Sequence, residues 1–234
     1  MRIGLLLCDH VVEPLRSREG DYSDMFRLWL GPAFPSADWQ DYDLTSGELP
    51  ADPGECDLWL ASGSKASVYE DEAWILAFAE FVRALWQAEQ PFVGVCFGHQ
   101  MIAHALGGVT AKNPGGWCVG VHSFELVATR PWMSPAQKKL FLPMSCQDQV
   151  QRLPPGAHVL ATSARCPVAM FEVGKMMGIQ GHPEWKPSYA EGLLKLRPEL
   201  LGVEALNSAL DTLSQPLDGA LLAQWIAQWW LSLS

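Results

Sequence analysis

The chain has 234 residues and a formal net charge of -10, from 26 acidic against 16 Lys and Arg side chains. That balance argues against a nucleic-acid or anionic-membrane partner, since both select clustered cations. Hydrophobic residues make up 49% and charged ones 18%, enough for one sizeable core, so residues 1–234 are expected to form a single domain.

In chain order, Ile3 to Cys8 is a short continuous apolar run, the pattern of a strand buried on both faces of a parallel sheet. Asp9, His10 and Glu13 cut that run short, so it does not read as a signal peptide, and a cytoplasmic location is expected. Tyr22 to Leu30 carries helical spacing and ends at Gly31-Pro32. Asp57 to Ala61 predicts a second buried strand, and Asp71 to Gln87 a long helix with Trp74, Phe78, Phe81, Val82 and Leu85 on one side.

A further strand runs to Cys96, followed by a helix from about Gly98 to Leu106. Alternation at this pitch predicts a doubly wound, mostly parallel α/β sheet with helices on both faces and sites at the carboxyl ends of its strands. From Val109 the texture changes to strand pieces, at Val119–Val127, Leu140–Met144, Ala157–Thr162, Ala169–Val173 and Lys175–Gln180. The chain then turns helical over 186–234, with helices over Lys186–Leu196, Glu204–Leu213 and Leu217–Leu231. The last carries a broad apolar stripe around Trp225, Trp229 and Trp230. Such a stripe either packs on the sheet or offers a tryptophan surface to a second copy or another subunit.

Chemistry concentrates in Pro91 to Gln100. A buried strand there meets a helix at a cysteine flanked as Gly94-x-Cys96-x-Gly98, the spacing of a nucleophile elbow. A thiol at a helix N-terminus is favoured as thiolate by free N–H groups and the helix dipole. The segment Gly181-His182-Pro183-Glu184 supplies a base and an orienting acid, expected on the same side of an extended chain held by the proline.

Together these two segments resemble the class I glutamine amidotransferases with their Cys/His/Glu triad. The loop Ala61 to Tyr69, after a short apolar strand, is similar to that family's oxyanion loop. The resemblance implies the family's flavodoxin-like fold, with the later strands as an antiparallel extension beside the nucleophile strand. It implies Cys96 as nucleophile, His182 as proton shuttle and Glu184 as orienter, with the oxyanion held by Ser64 and Phe97 N–H groups. It places Gly63, Gln100, Ser145, Cys146 and Gln147 at the substrate.

The motifs fit three relatives alike: stand-alone proteins similar to the glutaminase domain of GMP synthetase, γ-glutamyl peptidases and γ-glutamyl hydrolases. The implied substrate is glutamine or another γ-glutamyl compound, and the implied partner a synthase subunit or a second copy; a non-catalytic binding relative is the remaining alternative. Two departures stand out: Cys146 where the family commonly has a loop histidine, and Lys65 where many relatives have proline.

Other residues point to little. His99 and His104 follow the nucleophile on its helix and are read as structural, and Glu125, Glu172 and Asp148 are lone acids. The six cysteines show no C-x-x-C pair, which argues against disulfides and a metal site. There is no phosphate-binding glycine motif, and no cofactor is expected.

Overall fold

A computed structural model describes residues 1–233 of the protein. The first half runs β1 (Arg2–Leu7), α1 (Glu13–Glu19), α2 (Tyr22–Leu30), β2 (Asp38–Asp43), β3 (Leu58–Ala61), α3 (Ala73–Gln87), β4 (Phe92–Val95) and α4 (Phe97–Ala105). Seven strands follow: β5 (Val109–Lys112), β6 (Cys118–Leu126), β7 (Lys139–Cys146), β8 (Asp148–Arg152), β9 (His158–Thr162), β10 (Met170–Val173) and β11 (Met176–Ile179). The chain continues with α5 (Pro187–Lys195), α6 (Pro198–Leu201), α7 (Val203–Thr212) and α8 (Gly219–Leu231).

Nine strands form one sheet in the order β2-β1-β3-β4-β11-β10-β9-β6-β7, and β5 pairs with β8 apart from it. From β2 to β11 the pairing is parallel; from β11 outward to β7 it is antiparallel. The mostly parallel, doubly wound sheet with its antiparallel extension is thus present.

Side-chain alternation along a strand divides the core into two layers. In β1, Ile3, Leu5 and Leu7 join the cluster that includes Phe26, Tyr189 and Trp225, whereas Leu6, and Cys8 just past the strand end, join the one that includes Phe78 and Met101. Each face is covered by helices, which is why the inner parallel strands β1, β3 and β4 read as uninterrupted apolar runs.

The structure adds elements that periodicity did not predict. β2 reads Asp-Trp-Gln-Asp-Tyr-Asp, too polar for a core strand, but it is an edge that pairs with β1 alone and leaves its other side open. The short helices α1 and α6, and the β5/β8 pair, likewise lack the span that makes periodicity visible. The expected C-terminal stripe turns inward: Leu222, Trp225, Ile226 and Trp229 are buried in the first core layer, and Trp230 is half-buried against Phe34.

Candidate active site

The elbow depends on two glycines. Cys96 has φ +52°, a left-handed conformation rare outside glycine, which turns its side chain off the end of β4. Its N–H donates to the carbonyl of Ile179 at 2.8 Å, fixing the turn to β11. A Cβ on Gly94 would stand 2.3 Å from the Gly98 carbonyl carbon, and one on Gly98 would stand 2.8 Å from the Ala61 Cβ. Helix α4 can therefore rise this close to β3 and β4 only without side chains there.

His182 is set by the extension. Its N–H donates to the Pro143 carbonyl of β7 at 2.8 Å, and a Cβ on Gly181 would meet the Leu142 Cβ at 2.7 Å. Glu184 Oε1 accepts from or shares a proton with His182 Nδ1 at 2.7 Å, both side chains being almost wholly buried. The segment is not extended as the sequence suggested. Trp185 N–H turns back to the His182 carbonyl at 3.4 Å, and this turn brings ring and carboxylate together.

Below that turn, the Pro183 carbonyl packs where a Cβ on Gly219 would approach to 2.3 Å, so the start of α8 holds the Glu184 loop in place. Trp185 stacks flat on the His182 ring, 3.7 Å between centroids at 12°. Burial works against the imidazolium, but the Glu184 charge and the neighbouring Cys96 outweigh it and raise the His182 pKa. The ring is thus poised to hold a proton between a thiol and a carboxylate.

The loop after β3, Ser62 to Lys65, is tied to the end of β1. Cys8 N–H donates to Ser62 Oγ at 2.9 Å, and Asp9 Oδ2 accepts the Lys65 N–H at 3.0 Å while Oδ1 lies 3.2 Å from Lys65 Nζ. A proline at position 65 would have no N–H for Asp9. Gly63 lies under the imidazole, where a Cβ would come within 2.8 Å of His182 Cε1. The Phe97 side chain stacks on Phe78 and tilts against Trp74, away from the cleft, leaving only its backbone N–H at the first position of α4.

A cleft of about 430 Å³ opens over Cys96 and His182, within the range of about 300–1,000 Å³ usual for small-molecule sites. Ser64, Gln100, Ser145, Cys146 and Gln147 line it, whereas Gly63 is not among its lining residues. Gln100 Nε2 donates to the Asp148 carbonyl at 2.8 Å and to Gln180 Oε1 at 3.2 Å. Asp148 also proves more than a lone acid, since its carboxylate accepts from the hydroxyls of Ser67 and Tyr69 at 2.5 and 3.2 Å. Cys146 is buried, and burial pushes its thiol pKa well up, so it stands in the wall as a neutral group.

Sequence reasoning missed Asp9, Trp117, Tyr189 and Arg197, which line the same cleft from loops and helices remote in the chain. His99 is fully buried against the Phe171 edge, and burial lowers its pKa to about 3; His104 is lowered by burial as well. Among the described residues no group of three or more His, Cys, Asp or Glu side chains is placed to hold a metal ion, and no helix is long and apolar enough to cross a membrane.

The model of the glutamine amidotransferase class-I family matches residues 57–195, which contain the elbow, the His182 turn and the loop after β3. The chain belongs to that family. Among its relatives, the chain is 30% identical over 174 residues to γ-glutamyl peptidase 4 of Arabidopsis thaliana, covering 71% of this chain and 68% of that one. It is 32% identical over 136 residues to the glutamine-hydrolysing GMP synthase of Pyrobaculum aerophilum, covering 58% of this chain and 26% of that one. In fold it matches a glutamine amidotransferase from Thermotoga maritima, with a TM-score of 0.75 over the whole of this chain and 97% of the other, at 20% identity.

Proposed function

We propose that this amidotransferase relative hydrolyses a γ-glutamyl amide through a thioester on Cys96, within a single domain spanning 1–234. The observation that carries the reading is the buried His182–Glu184 contact of 2.7 Å beside a thiol turned off the strand end by φ +52°. Cys96 Sγ attacks the side-chain carbonyl; His182, whose Nδ1 is held by Glu184, takes the thiol proton on its other nitrogen and hands it to the departing amine. Water then attacks the thioester, with His182 as base, and releases glutamate. The N–H groups of Ser64 and Phe97 bind the oxyanion, and losing one such donor raises the barrier by about 3 kcal/mol. Gln100, Cys146 and Gln147 hold the γ-glutamyl half, Ser145 faces the other half of the substrate, and Gly63 leaves room for the imidazole.

Glutamine is the smallest substrate of this kind, its ammonia going to a synthase subunit or to solvent. The size of the cleft and the likeness to a γ-glutamyl peptidase favour a second reading, in which a larger amine leaves. Six free thiols, all buried, suit a reducing compartment such as the cytoplasm. The test is glutamate release from glutamine and from γ-glutamyl dipeptides by wild type and Cys96→Ser, with mass spectrometry of acid-quenched enzyme for one glutamyl group on Cys96. Turnover that survives Cys96→Ser, or a wild type whose Cys96 reacts with iodoacetamide yet releases glutamate from neither substrate, overturns the proposal.

A further inference from the structure

Arg197 is a cation in the cleft with no acid paired to it among the described residues. Its Nη1 donates to Ser145 Oγ at 3.1 Å and its guanidinium carbon lies 6.0 Å from the centre of the Trp117 ring, while among the described residues no carboxylate pairs with it. Lys65, by contrast, is matched by Asp9. Lys112 also lines the cleft but is exposed, a mobile point charge in water, whereas Arg197 is half-buried and oriented by two neighbours. One of five guanidinium donors is used by Ser145, which leaves a planar fork free for a ligand anion.

Its position follows the path of the departing amine. The group that receives the proton from His182 must leave on the His182 side of Cys96. On that side Trp185 stacks on His182 and Tyr189 meets Trp185 edge-on at 4.9 Å. Trp185, Tyr189, Leu193 and Arg197, spaced by four along and beside α5, line the cleft from the base outward to the guanidinium. Gln100, Asp148 and Ser67 are joined to one another by hydrogen bonds of their own.

We infer that Arg197, with Ser145 Oγ and the face of Trp117, binds the carboxylate of the departing amine, so that the preferred substrate is a γ-glutamyl dipeptide with a free C-terminal carboxylate rather than glutamine. This rests on the Cys96 thioester reading and assigns its leaving-group specificity. A carboxylate anchored there by a charged, partly desolvated pair gives a preference of about 10- to 100-fold over the same compound with a neutral end.

The test compares γ-glutamyl-alanine, γ-glutamyl-alaninamide and glutamine, with wild type, Arg197→Gln and Arg197→Lys. Wild type should favour γ-glutamyl-alanine over its amide by about tenfold or more in kcat/KM, and Arg197→Gln should erase that preference by losing about tenfold more on γ-glutamyl-alanine than on the amide or glutamine. Arg197→Lys, which keeps the charge but not the fork, should restore part of it. Equal loss on all three substrates would place Arg197 at the γ-glutamyl half or in the fold, and no loss would make it a bystander; either result overturns the inference. Calorimetric titration of Cys96→Ser with the same compounds separates the two readings. Carboxylate-dependent binding without wild-type turnover refutes the hydrolase alone, and turnover without carboxylate dependence refutes the subsite alone.

Discussion

Replacing Glu184 by Gln removes one charge and almost nothing else. The His182 Nδ1 to Glu184 Oε1 distance is 2.7 Å and both side chains are nearly inaccessible, at 3% and 0%. At an effective dielectric near 20, unit charges about 4 Å apart attract by about 4 kcal/mol. The amide oxygen of Gln still accepts the Nδ1 proton and returns about 1 kcal/mol. The net loss of about 3 kcal/mol at the imidazolium corresponds to about a 10²-fold fall in kcat at neutral pH.

Burial, no longer opposed by the acid, should then carry the His182 pKa downward from its raised value. The pH dependence has a definite sign. A histidine whose folded pKa is raised contributes stability that is fully present below its unfolded value of about 6.5 and is lost as pH rises through the folded one. Glu184→Gln should therefore destabilise most in acid and least in alkali. Stopped-assay kcat, urea unfolding at several pH values and NMR titration of labelled histidine read these effects. A variant with kcat within threefold of wild type and an unmoved His182 titration would refute the reasoning.

Four further outcomes follow from the same geometry. Gly63→Ala would place a Cβ 2.8 Å from His182 Cε1 and 3.5 Å from the Cys96 Cβ, so kcat should drop about 10- to 100-fold through displacement of the ring; full activity in steady-state assays would contradict it. Asp9→Ala frees the Lys65 N–H and should lower kcat about tenfold with KM within twofold, because the oxyanion is bound only in the transition state, while Asp9→Asn keeps an acceptor and most of the rate. Iodoacetamide at neutral pH, followed by peptide mapping, should modify Cys96 and spare Cys8, Cys146 and Cys166, whose thiols burial holds in the protonated form; faster labelling of Cys146 would count against its role as a neutral wall residue. Trp225→Ala empties a fully buried site on α8 and should cost about 3–5 kcal/mol, a fall of about 6–20 °C in Tm by calorimetry.

What the sequence determined by itself was local. The apolar runs of β1, β3 and β4, the helical spacing of α2, α3 and α8, and the glycines around Cys96 all express contacts within a few residues, where chain geometry leaves little choice. His182 and Glu184, two positions apart, were legible as a pair for the same reason, although a turn and not an extended chain joins them. The tertiary structure decided what depends on distant partners. β2 has a polar sequence and becomes a strand only because β1 offers it a free edge. Asp9 meets Lys65, 56 residues away, because the parallel strands β1 and β3 end at one rim, and Arg197 meets Ser145, 52 residues away, because the segment after α5 meets the end of β7. The elbow at Cys96 was therefore written in one short motif, whereas the cleft above it exists only where those remote segments converge.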